Sequence, residues 1–188
     1  PMQQLLAFSR IIDGLNTFIG RTVGWLILAA VAVSAGNALM RKMFSQSSNA
    51  WLELQWYLFG AVFLLCAGYA LLKDAHVRID VLSARLSKRR RDWIDVFGHI
   101  FFLAPLCLII LYEGIPFFIR SYLSGENSGN AGGLILWPAK LLVPLGFGLL
   151  LLQGMSELIK RIAIMRGVLD EPNDGDTDDA SAPQGGAA

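Results

Sequence analysis

The side chains best suited to chemistry are few and badly placed for it. His76 and His99 are the only histidines, and Cys66 and Cys107 the only cysteines. Bis-histidine haem ligation needs two rings facing each other across a bundle core. His76 falls in a charged stretch and His99 near the start of an apolar one, so haem is not expected. The cysteines stand alone in apolar segments and form no CxxC pair, which suits buried, reduced packing residues. There is no HExxH and no glycine-rich phosphate loop. No catalytic residue, cofactor-binding residue or metal ligand is assigned. The competing reading, a small membrane electron carrier or oxidoreductase subunit, lacks these parts and would announce itself by a Soret band.

The other informative residues are charges set in apolar surroundings, where an ionisable group marks function or an interface. Glu53 opens one apolar stretch, Glu113 and Arg120 close another, and Lys140 lies just inside a third. Counting from the segment ends puts Glu113 and Lys140 at similar depth, so an ion pair between them is one expectation. Separate snorkelling of each to the headgroups is the other. Glu53, with Trp56 close by, is either an interfacial anchor or a contact with a partner. His76, Arg78 and Asp80 alternate in a segment better suited to a hydrogen-bonded turn than to a span.

The elements that must position these residues are membrane helices. The chain has 188 residues, 54% of them hydrophobic and only 16% charged, with a mean hydropathy of +0.50. Crossing a bilayer takes about 20 apolar residues per helix. Four such stretches fit, at about 22–40, 51–72, 93–119 and 134–159, with no room for a soluble catalytic domain. The expected fold is an all-α membrane protein. An N-terminal amphipathic helix over 1–21 precedes the 22–166 transmembrane domain, and 167–188 forms a disordered acidic tail. In the amphipathic helix, Leu5, Phe8, Ile12, Leu15 and Ile19 recur at helical spacing while Arg10, Asp13, Asn16 and Thr17 face away. It reads as lying in the membrane interface rather than as a signal peptide. Val81, Leu82 and Leu86 suit a second short interfacial helix. The Gly125–Gly133 loop is expected to be flexible, and Pro105, Pro116, Pro138 and Pro144 to kink their helices.

Orientation follows from the basic residues. Of the 16 Lys and Arg, only Arg41, Lys42, Arg120 and Lys140 fall on one side. The rest flank the termini and the link after the second span, including the run Lys88, Arg89, Arg90, Arg91. The positive-inside rule therefore puts both termini and that link in the cytoplasm. The basic run reads as a topology anchor on anionic lipids. A formal net charge of +1 argues against a nucleic-acid partner.

Two segments carry a family resemblance: Glu53–Phe59 (ELQWYLF) and Asp74–Leu82 (DAHVRIDVL), with His76-Val77-Arg78-Ile79-Asp80 the most specific element. Together with four spans in order, they resemble the small, DctQ-like subunit of tripartite ATP-independent periplasmic (TRAP) transporters. The resemblance implies a bacterial inner-membrane location and a large multi-helix membrane subunit that carries the substrate and sodium sites. It also implies a periplasmic binding protein that delivers an organic acid, and a small subunit that serves as scaffold and transports nothing itself. Glu53, Trp56, His76, Arg78 and Asp80 become candidate contacts with the large subunit.

Overall fold

The computed structural model describes residues 2–45, 48–73 and 88–168. His76, Arg78, Asp80, the expected short helix near Leu82 and most of the acidic tail lie outside these residues. The described chain is helical, with one isolated antiparallel bridge between Asn127 and Ile135, and four of its helical segments are long and apolar enough to cross a membrane.

The first helix, α1, runs without interruption over Met2–Phe44, about 65 Å at the usual helical rise. The amphipathic stretch runs into the first span as one continuous helix, and Asp13 and Asn16 of its polar stripe meet α5. Ser9 and Asn16 are 1% and 0% exposed, whereas Ile11 and Phe18 are 69% and 70% exposed. The physical reason is the solvent. Lipid accepts an apolar outer face at no cost, while hydroxyls and amides need partners, which only neighbouring helices supply.

Ser45, just past the end of α1, takes a φ of 53°, and α2 follows over Asn49–Leu72. The third span has two parts. Helix α3, Lys88–Gly98, passes through one π-helical turn, His99–Leu103, in which the Ala104 N–H donates to the His99 carbonyl. Helix α4, Ala104–Ser124, follows. Pro105 accounts for the wide turn: it lacks an N–H, and its ring crowds the carbonyl one turn back. Gly125, at φ 60°, ends α4 in the left-handed conformation common at helix ends. The last helix, α5, spans Trp137–Met165 and carries Pro138 in its first turn.

Helix α5 is the hub, packing on α1, α2 and α4, while α1 and α2 form a close antiparallel pair. Close packing depends on small residues. A Cβ added to Gly146 would come within 2.7 Å of the Leu64 carbonyl oxygen, so α2 and α5 nearly touch there. Gly68 likewise makes room for the Asn16 side chain. Leu141–Leu152, at the centre of α5, contains no polar side chain. Polar groups gather instead at the two ends of the bundle.

Candidate functional site: two polar clusters and an intramembrane carboxylate

At the end that holds the termini, Asp13 of α1 accepts three hydrogen bonds from α5. The donors are Gln153 Nε2 at 2.8 Å, Ser156 Oγ at 2.7 Å and Lys160 Nζ at 3.1 Å. Asn16 Nδ2 donates to Gln153 Oε1 at 2.9 Å, and Ser9 and Ser156 share a hydroxyl contact of 2.6 Å. Lys160 also pairs with Glu157 at 2.6 Å. Arg161 reaches Asp95 at 2.8 Å, which ties α5 to α3. Two helices are thus joined by a ladder of hydrogen bonds in a medium that offers none, and a third by an ion pair.

At the opposite end, Glu53 organises the link between α4 and α5. Its carboxylate accepts from the Ser128 hydroxyl, from Asn130 Nδ2 at 2.8 Å and from the Leu134 backbone N–H at 2.7 Å. Tyr57 donates to the Ile135 carbonyl and Asn49 to that of Ala131, each at 3.0 Å. Ser128 N–H bonds Leu134 O at 2.9 Å, and Leu136 N–H bonds Glu126 O at 3.0 Å. The glycine-rich loop, expected to be flexible, is held from one side by α2 and from the other by its own backbone. Its glycines supply tight turns, with Gly132 at φ 73°.

Lys140 does not meet Glu113. Its ammonium pairs with Glu126 at the loop and stands 4.2 Å over the Phe117 ring. Glu126 lies nearer the membrane surface, where Lys140 keeps its charge partly solvated while its stem crosses apolar surface. Hydrogen bonding from Lys140, aided by Ser121 and by the lysine's charge, holds the Glu126 carboxyl below its ordinary value. Glu113 is exposed on α4 and makes no hydrogen bond or ion pair with the described residues.

The remaining candidates scatter. Trp56 is 75% exposed and takes no part in the Glu53 cluster. Lys88–Arg91 form the first turn of α3, with Arg90 exposed. Cys107 is buried and Cys66 half-buried, both free. His99 Nδ1 stands 2.7 Å from the Asp95 carbonyl, and its Nε2 is buried with no partner among the described residues. The Asp13–Gln153 ladder is the feature that composition concealed. Its signal was present: Gln153, Ser156 and Glu157 interrupt an apolar run at helical spacing, and Ser9, Asp13 and Asn16 repeat that spacing in α1.

A buried polar ladder at one end, a hydrogen-bonded loop at the other and an apolar stretch between them describe a membrane bundle, with Glu113 exposed on the outer side of α4. No curated protein and no solved structure matches the chain. The sequence profile of the tripartite ATP-independent periplasmic transporters, DctQ component, matches residues 21–164, and the chain belongs to that family of small TRAP transporter membrane subunits.

Proposed function

We propose that this subunit acts as a static scaffold for the large membrane subunit of a binding-protein-dependent, sodium-coupled transporter of an organic acid, and that it neither carries the solute nor catalyses a reaction. The observation that supports this reading is the centre of α5. The stretch Leu141–Leu152 offers no proton or ion relay across the bundle, as a self-sufficient carrier would need. Sodium and solute then belong to the partner, and this chain needs no cofactor of its own.

In the orientation favoured by the basic residues, the termini and the Asp13 ladder face the cytoplasm of an inner membrane, with Lys88–Arg91 against anionic headgroups. The Glu53 cluster and its loop face the periplasm, where the binding protein arrives.

Reconstitution tests the proposal. Liposomes holding both membrane subunits, supplied with binding protein and an inward sodium gradient, should take up solute. Liposomes with this chain alone should take up none, and those with the large subunit alone should show reduced uptake or a less stable protein. Uptake by this chain alone would refute the scaffold reading.

A further inference from the structure

Helix α4 packs on α5 along one seam, marked by the buried Cys107, Gly114 and Ser121 at heptad spacing. Two other seams remain open. One, with Leu108, Tyr112, Ile115 and Ile119, carries no charge and is exposed throughout, as a lipid-facing surface should be. The other runs Leu106, Ile109, Glu113, Pro116 and Arg120, a spacing of three and four that places all five on one side of the helix. All five are exposed.

This second seam contains a carboxylate that has no partner among the described residues. Glu113 lies eleven residues before Ser124, about 16 Å along the helix from its loop end. The neighbouring Gly114 packs beside Val143 and Pro144, well inside α5. At that depth a lone charge facing lipid is unfavourable. Toward the terminal end the same side opens into a groove of about 600 Å³. The groove is lined by Leu71 of α2 together with His99, Phe102 and Leu106. The open side of α4 therefore presents one carboxylate, Glu113, with Arg120 two turns away, and the carboxylate asks for a donor at its own depth.

Resting on the scaffold reading above, we infer that the Leu106–Ile109–Glu113 seam of α4 is the docking face for the large membrane subunit. Its occupant is a transmembrane helix that brings a Lys, Arg or amide donor to the level of Glu113. A second copy of this chain fits poorly. Parallel copies related by a two-fold axis along the membrane normal would set Glu113 against Glu113 at equal depth, with Arg120 two turns away. A soluble partner does not reach that depth.

Photocrosslinking in the assembled complex tests the face directly. Benzoylphenylalanine in place of Ile109 should crosslink to the large subunit, and in place of Ile115 should not. Glu113→Leu should lower the large subunit retained on this chain about tenfold, with this chain still monodisperse in detergent. Crosslinks from position 115 instead of 109, or homodimers from 109, would overturn the docking face. So would retention of the large subunit with no crosslink from 109, which would make this seam a lipid surface. If the unmodified chain fails to retain the large subunit at all, the scaffold reading falls and the docking face falls with it.

Discussion

Glu53 is more than an anchor at the head of a span: it gathers three donors from a segment some eighty residues away. Replacing it leaves the Leu134 N–H and two side-chain donors to water or to each other. In Glu53→Ala, amide exchange across 127–135 should rise about tenfold or more while exchange in the core of α5 stays unchanged. An unaltered loop would show that its backbone bonds suffice. Glu126 gives a pH prediction. Its folded-state pKa is depressed below the ordinary 4.5, so the unfolded chain binds the proton first. The stabilisation from Lys140 is fully present above that ordinary value and is lost as pH falls through the lower, folded one. Thermal stability in nanodiscs should therefore drop below about pH 4 with a component that Glu126→Gln removes; equal slopes in both proteins would contradict it.

Among the elements, α5 bears the packing that holds the bundle. Gly146→Ala forces a methyl against the Leu64 backbone and should cost about 1–3 kcal/mol. Gly24→Ala, in open space on α1, should be neutral or stabilising by up to about 1 kcal/mol. Unfolding in mild detergent distinguishes the two, and equal effects would mean that α2 and α5 separate easily. In the ladder at the other end, Gln153→Leu removes the Asn16 bond across the helices and one of the three donors to Asp13. A loss of about 1–2 kcal/mol is expected, larger than for Ser156→Ala, which leaves the Asn16–Gln153 bond in place. The four spans were plain in the sequence because long uncharged runs admit few alternatives. The helix that covers the polar stripe of α1 was not, because an amphipathic period shows that a polar face exists but not what packs on it. Hydrophobicity alone ranks residues by preference for oil, and here oil is outside.

For the molecule as a whole, the family and the membrane architecture were legible in ELQWYLF, HVRID and the four apolar runs, which together constrain both sequence and depth. The pairing of charges was less so. Counting residues from each span end put Lys140 opposite Glu113, but the count carried no information on azimuth. It also took the link after α4 for slack, when its Glu126 lies within reach of the lysine. A charge left facing outward is a statement about the assembly rather than about the chain. Its meaning is settled only by what stands beside it in the membrane.

The position of α5 also bears on how the protein is made. Of the four described spans, the one that the others pack on is synthesised last. Until it emerges, Ser9, Asp13 and Asn16 lack the partners that α5 supplies, and α4 lacks the helix it packs on. A chain that lacks α5 therefore leaves these polar groups uncovered for a quality-control protease to recognise, and completion of α5 covers them. Chains truncated at residue 136 should disappear from pulse-chase gels several-fold faster than the full protein, and Asn16→Leu in the truncated chain should slow that clearance.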